Sequence, residues 1–290
     1  MKRASFIAAA GGCAGAALLP PTAFARTLNA RMSAIARTME GEIGVYARTL
    51  ANTAPLASYN ASMRFPTASI IKVLIMTTAY VLEERAPGFL QRRIVYRSSD
   101  LIGGSDFLST AASGSSYSVQ QLIVPMITVS DNTAANLLMT HLGMPEINAV
   151  ARRAGMVHTR LARHFMDYTA IGHHNDNVST PADMGRLLYL IEWGSHEGVP
   201  TIVSPQHCRA MLDVMVRQTD RDGIPAVLPH GIAVANKTGE LDGTRNDVAV
   251  IDPFGESPII LSIMSKNLQN YYDAYRAIHA MTRSIYVVAG

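Results

Sequence analysis

Phe65-Pro66-Thr67-Ala68-Ser69-Ile70-Ile71-Lys72-Val73-Leu74-Ile75 is the stretch on which the reading of this chain turns. Pro66 and Thr67 mark a helix start. From Ile70 to Leu82 nearly every residue is apolar on every helical face, which predicts a helix buried all round. A lysine inside such a helix is costly, because an ammonium taken from water must be paired or give up its proton. Lys72 follows Ser69 by one helical turn and shares its face. Ser69 stands at the positive end of the helix, where developing negative charge is favoured. A hydroxyl, an amine able to take its proton and a backbone N–H poised for an oxyanion together make a nucleophile site. Ser-x-x-Lys is common by chance; its apolar setting is what singles it out here.

The N-terminus reads as a leader rather than as fold. Lys2 and Arg3 precede the small-apolar run from Ala4 to Leu19, then Pro20-Pro21 and Ala23-Phe24-Ala25. These are the charged region, apolar region and A-x-A cleavage site of an export signal, so residues 1–25 are expected to leave and the protein to be periplasmic or secreted. Lipidation at Cys13 is the rival reading, with Ala10-Gly11-Gly12 a poor match to a lipidation motif. Lys2-Arg3 only faintly echoes a twin-arginine signal. No other segment is long and apolar enough for a permanent membrane span. The remainder, 26–290, has the size of one large domain or two interleaved lobes. The formal charge of +3 includes Lys2 and Arg3, so the chain without its leader is close to neutral and does not suggest a nucleic-acid partner. Arg92 to Arg97 reads as a solvated surface strand. Without Cys13, Cys208 stands alone, so no intrachain disulfide is expected; it reads as buried and inert.

Leu28 to Met39 is an amphipathic helix, and Ile43–Leu50 with Leu56–Arg64 forms a hairpin pattern. After the buried helix, the Ser- and Gly-rich stretch 98–118, with Gly103-Gly104-Ser105, is a loop carrying one short helix. Helices are predicted over Val119–Ile127, Asp131–Leu142, Glu146–Ala154, Pro181–Trp193 and Pro205–Arg217. Arg163 to Pro181 has no periodicity; a loop of that length inside a compact domain is usually functional. Gly231–Leu241, Asp247–Ile251 and Pro258–Ser265 are strands, and Asn270–Val287 a closing helix. The order predicts an α/β (α+β) fold: an antiparallel five-stranded sheet from both chain ends, flanked by helices, with an all-helical lobe inserted. The α/β lobe is assigned to 26–64 and 206–290 and the helical lobe to 65–205.

Two further tripeptides sharpen the function. Ser130-Asp131-Asn132 follows the helix Val119–Ile127, and Lys237-Thr238-Gly239 lies on the first C-terminal strand. Each alone is weak; with Ser69-x-x-Lys72, in this order and these contexts, they are specific. Phe65 to Leu74 resembles the nucleophile segment of class A β-lactamases. Met126 to Leu138 resembles their central loop and helix, and Lys237-Thr238-Gly239 with Gly243 to Ile251 resembles their third strand and its sequel. The resemblance, which extends to penicillin-binding proteins, covers nearly all of the chain after the leader. It implies a β-lactamase/transpeptidase-like fold in which Ser69 is acylated and Lys72 accepts or relays its proton. By the same resemblance Ser130 bridges Lys72 and Lys237 and protonates the leaving nitrogen, while Asn132 donates to the substrate's side-chain amide. Lys237, Thr238 and Gly239 form the strand that holds the substrate carboxylate. The N–H groups of Ser69 and Glu240 form the oxyanion hole, and Arg245 approaches the carboxylate with its fork.

One departure bears on turnover. In class A enzymes a glutamate two residues after an arginine of the long loop activates the deacylating water. Here the arginine is Arg163 and the residue two further on is Phe165, with no glutamate before Pro181. Arg-x-Phe-Met-Asp and Gly103-Gly104-Ser105 with Leu108 resemble instead a group of β-lactamase-like serine hydrolases lacking that glutamate. Asp167 is the candidate substitute base, against a structural reading in which it pairs with Arg163. His164 is the weaker alternative. The expectation is fast acylation and slow release, since loss of a water-activating base costs about 10²–10⁴ in that step. His173-His174 and His196-Glu197 lack metal-ligand spacing, so neither a metal nor a cofactor is expected. Three functions compete: a hydrolase of β-lactams or related amides; a D-alanyl-D-alanine peptidase-like penicillin-binding protein or esterase acting on cell-wall peptides or another acyl substrate; and a sensor that traps an acyl ligand without turnover. A monomer is expected in each case.

Overall fold

The computed structural model describes residues 21–52 and 54–289, so Cys13 and most of the expected leader lie outside the described residues. In chain order the elements are α1 (Pro21–Ala36), β1 (Glu42–Thr49), β2 (Ala57–Tyr59), β3 (Phe65–Pro66), α2 (Lys72–Arg85), β4 (Arg93–Val95), β5 (Ser116–Ser118), α3 (Val119–Thr128), α4 (Asn132–Leu142), α5 (Met144–Arg153), α6 (Tyr168–Gly172), β6 (Val178–Ser179), α7 (Pro181–Glu197), α8 (Pro205–Met215), β7 (Val234–Leu241), β8 (Thr244–Ile251), β9 (Ile259–Lys266) and α9 (Tyr271–Ala289).

A five-stranded antiparallel sheet runs in the order β2-β1-β9-β8-β7, so both chain ends build it as the sequence predicts. β1 pairs with β9 from Glu42↔Lys266 to Thr49↔Ile259. Strand alternation splits the sheet's side chains between two cores. Val248, Val250, Ile260 and Met264 face the helical elements. Ala249, Ile251, Leu261 and Ile263 face the opposite way, under Met32 of α1 and Ile278 and Met281 of α9. Two small ribbons, β3–β6 and β4–β5, pin the connecting segments to the helices.

α2 is the axis of the helical part. Lys72 through Val81 are all buried, as a run that is apolar at nearly every position predicts. Its two interior threonines spend their hydroxyls on the preceding turn, Thr77 Oγ1 donating to Val73 O and Thr78 Oγ1 to Leu74 O, both at 2.8 Å. The structure corrects the start of this helix. Residues 68–71 form a 3₁₀ turn, and the α-helix proper begins at Lys72. β8 also starts three residues earlier than expected, at Thr244, which brings Arg245 and Asn246 into the sheet. The 98–118 segment holds two 3₁₀ turns and β5 in place of one short helix. The long loop contains α6 and β6.

Cys208 is free and buried, and burial pushes its thiol up, away from the reactive thiolate. Among the described residues no helix is long and apolar enough to cross a membrane.

One buried group is at odds with its surroundings. Glu192 of α7 is fully buried, and neither carboxyl oxygen has a hydrogen-bond partner. Burial pushes its pKa up from 4.5 to about 8, outweighing the nearby Arg209 charge. The folded chain therefore keeps a proton that the unfolded chain releases, and stability falls as pH rises from about 4.5 to about 8. Glu192→Met removes this penalty and is expected to stabilise the protein by about 1–3 kcal/mol at pH 8, with the gain shrinking towards pH 5. Thermal melts of both proteins across that range check it; a gap independent of pH would refute the assignment.

Candidate active site

The nucleophile segment is held from three sides. Thr67 N–H donates to Asn177 O at 2.9 Å, tying it to the base of the long loop. Asn246 Nδ2 of β8 donates to Pro66 O and Thr67 O at 2.9 and 3.1 Å. From the third side β7 presses close: a Cβ on Gly239 would stand 2.8 Å from Thr67 O and 3.0 Å from Ser69 N. Only glycine lets the strand come this near. Ala68 has φ +46°, a left-handed conformation that costs an alanine of order 1–3 kcal/mol. The strain sets Ser69 at the head of α2 with its backbone N–H beside an edge strand.

Lys72 is wholly buried beneath the cleft. Its Nζ lies 2.6 Å from Ser130 O, 2.7 Å from Asn132 Oδ1 and 3.1 Å from Ser130 Oγ. Burial, reinforced by the charge of Lys237, lowers its pKa well below the ordinary lysine range. Nζ donates to Ser130 O and Asn132 Oδ1 and lies within hydrogen-bond distance of the Ser130 hydroxyl. Ser130 has φ +59°, again left-handed. The helix behind it is capped by Asp131, whose Oδ1 accepts from Ala134 N–H and whose Oδ2 accepts from the N–H groups of Phe107 and Leu108. Asn132 carries the glycine-rich loop: its N–H donates to Gly104 O and its Nδ2 to Gly103 O. A Cβ on Gly104 would meet Asn132 Nδ2 at 2.6 Å, which explains the glycine.

Lys237 is also fully buried. Its Nζ donates to Thr238 O at 2.9 Å, so the expected bridge runs from Ser130 to Lys72 but does not reach Lys237 by a hydrogen bond. Burial lowers its pKa to about 8 against the opposing pull of Asp220 and Asp247. Arg245 lies opposite Glu240 across the β7–β8 register and forms an ion pair with its carboxylate. The guanidinium is flanked by the rings of Tyr275 and Tyr271, with centroids 4.8 and 5.2 Å away.

These elements enclose a cleft of about 300 Å³ whose lining includes Ser69, Ser130, Asn132, Thr238 and Glu240. Lys72, Lys237 and Gly239 support it from behind. Gly104, Asp106, Val129 and Asp220 also line it and were not anticipated. Among the described residues no cluster of three or more His, Cys, Asp or Glu side chains could hold a metal ion.

The long loop corrects one expectation. Arg163 pairs with Asp176, Nε to Oδ1 at 2.7 Å, and not with Asp167. Asp167 is exposed and caps α6, accepting from Ala170 N–H at 3.0 Å, so its carboxylate serves the loop's own backbone. The group that reaches Lys72 is Phe165. Its ring centroid lies 4.3 Å from Lys72 Nζ. Asn136 clamps the Phe165 backbone, accepting its N–H at 2.8 Å and donating to its carbonyl at 3.1 Å. A hydrocarbon face therefore covers the lysine from the loop side.

The model of the "Beta-lactamase enzyme family" matches residues 26–288. The chain belongs to the β-lactamase enzyme family. Within it, the chain is 32% identical to β-lactamase Toho-2 of Escherichia coli over 264 residues, 88% of this chain and 87% of that one. It is 30% identical to the carbapenem-hydrolysing β-lactamase KPC of Klebsiella oxytoca, over 72% and 71% of the two chains. A β-lactamase structure from Desulfarculus baarsii superposes with a TM-score of 0.81 at 28% identity, covering 92% of this chain and 98% of its own. A point mutant of PBP-A, solved as an acyl-enzyme complex with penicillin G, superposes with a TM-score of 0.80 at 25% identity, covering 93% and 98%. The chain is thus a class A β-lactamase-like serine hydrolase.

Proposed function

We propose that the protein opens a β-lactam or related amide through an acyl-enzyme on Ser69 and releases the product slowly. The observation that carries this reading is the buried, deprotonation-prone Lys72 wired to the Ser130 hydroxyl. Lys72 takes the Ser69 proton as Ser69 Oγ attacks the carbonyl carbon. The N–H groups of Ser69 and Glu240 receive the oxyanion, each such donor being worth about 10²–10³ in rate. As the tetrahedral species collapses, the C–N bond breaks and Ser130 gives its proton to the departing nitrogen, refilled from Lys72. Asn132 orients the substrate amide, and Lys237, Thr238 and Arg245 attract its carboxylate.

Hydrolysis of the resulting ester needs an activated water. The ring of Phe165 against Lys72, and the exposed cap role of Asp167, favour a second reading for turnover: a penicillin-binding-protein-like peptidase acting on cell-wall peptides, or a sensor, in which the acyl group persists. A leader over residues 1–25 would deliver such an enzyme, as a monomer, to the periplasm or the medium.

Mixing the protein with a chromogenic cephalosporin while following colour and intact mass tests this. Sustained colour supports a β-lactamase. One equivalent of colour with a lasting adduct, absent from Ser69→Ala, supports the slow-release reading. Neither colour nor adduct refutes both.

A further inference from the structure

The cleft's lining is unexpectedly acidic. Asp106, Asp220 and Glu240 all border it, and among the described residues no lysine or arginine does. A substrate carboxylate arriving there meets three acidic side chains at the surface of the cleft, with Lys237 buried behind them. Arg245 is the guanidinium on the β7–β8 face, and it is already engaged. Its side chain is 11% exposed, whereas that of its partner Glu240 is 60% exposed. Glu240 therefore stands between Arg245 and solvent. The pairing uses Arg245 Nη1 and leaves the buried Nε without any acceptor. The bidentate edge of a guanidinium that includes Nε is completed by Nη2, so the Glu240 contact through Nη1 is one-pronged and lies off that edge. Tyr271 and Tyr275 flank the guanidinium, so the remaining approach is from the side Glu240 covers.

Resting on the acyl-enzyme reading above, we infer that the Glu240 side chain is a resident competitor for substrate carboxylates. It occupies Arg245 from within the chain, and an anionic acyl substrate reaches the guanidinium only by displacing it. Glu240 contributes its backbone N–H to every substrate, while its side chain sets how strongly the site discriminates against a carboxylate-bearing one. The site is thereby biased towards acyl substrates that are neutral at this position.

The test compares benzylpenicillin with its methyl ester, which lacks the carboxylate. Rates of Ser69 acylation are read by intact mass for the wild type, Glu240→Gln, Arg245→Gln and the double variant. Binding is read by calorimetry in each of the four in a Ser69→Ala background, where no bond forms. Glu240→Gln is expected to raise the acylation rate and the affinity for benzylpenicillin about fivefold, the scale of a partly exposed ion pair. The ester is expected to gain much less, and the gain for benzylpenicillin is expected to vanish when Arg245 is also replaced. The inference is overturned if Glu240→Gln leaves benzylpenicillin unchanged or slower, if the ester gains equally, or if the gain survives loss of Arg245, which would mark a general charge effect. Should Arg245→Gln melt below the assay temperature, the carboxylate-to-ester ratio for Glu240→Gln alone decides. If the wild type forms no adduct, the acyl-enzyme reading falls, while the affinities in the Ser69→Ala background still decide this inference.

Discussion

Phe165→Glu is expected to shorten the lifetime of the Ser69 acyl-enzyme by about 10²–10⁴-fold, the usual worth of a general base in a hydrolytic step. The position is prepared for it. The backbone of residue 165 is fixed through both its N–H and its carbonyl by Asn136, so a new side chain starts from the same point and heading. The centroid of the present ring lies 4.3 Å from Lys72 Nζ. A carboxylate placed there would be shielded from bulk water, and its desolvation would be offset by the lysine. That pairing also raises the affinity of Lys72 for its proton, so acylation is expected to slow modestly while deacylation accelerates. The check is the decay of the adduct mass after excess β-lactam is removed. Phe165→Gln, similar in length but unable to accept a proton, is the control. If glutamine shortens the lifetime as much as glutamate, water access rather than base catalysis limits release.

Lys72→Met is expected to lower the acylation rate by about 10²–10⁴-fold while leaving the fold intact or firmer. Methionine matches the lysine stem in length and suits the apolar run of α2. The loss therefore reports proton transfer rather than collapse, and an unchanged or higher melting temperature verifies this. The pH profile gives the sharper signature. In the wild type, acylation by a carboxylate-bearing β-lactam rises with pH as Lys72, its pKa held low by burial, gives up its proton. It falls again above about 8, where Lys237 loses the charge that attracts the substrate. In Lys72→Met the rising limb disappears and the falling limb stays. A rising limb that persists would assign the base to another group.

The fold was legible wherever burial dictates composition. A helix surrounded by core must be apolar on every face, so the one lysine in α2 stood out before any geometry was known. The sheet was legible because its strands alternate between two cores. The hydrophobic run of β8 begins only after Asp247 because Thr244, Arg245 and Asn246 are polar, and a strand end facing a site lacks the hydrophobic signature of one facing a core. The Glu240–Arg245 pair follows from the register of a hairpin turning at Asp242-Gly243, which composition alone does not fix. Asn246 reaches Pro66 across 180 residues of sequence, a contact no local pattern encodes. The partner of Arg163 is likewise set by the loop's path and not by proximity in sequence. Asp167 is nearer in sequence, but the loop folds back so that Asp176 meets the guanidinium. Phe165 was legible as a departure from the family pattern, not as the group that covers Lys72, since an aromatic in a loop reads as local packing.

The seam between β1 and β9 has a kinetic meaning. Residues 42–49 must wait for residues 259–266 before the middle of the sheet can close. A ribosome emitting this chain in order would hold β1 with only its short partner β2 until β9 had emerged. Loop-closure entropy of that span makes assembly slow, because the pairings that reward it are non-local. During synthesis the polypeptide therefore has no complete sheet to unfold, and a chain cut short before Ile259 would lack the strand that stitches its two halves into one body.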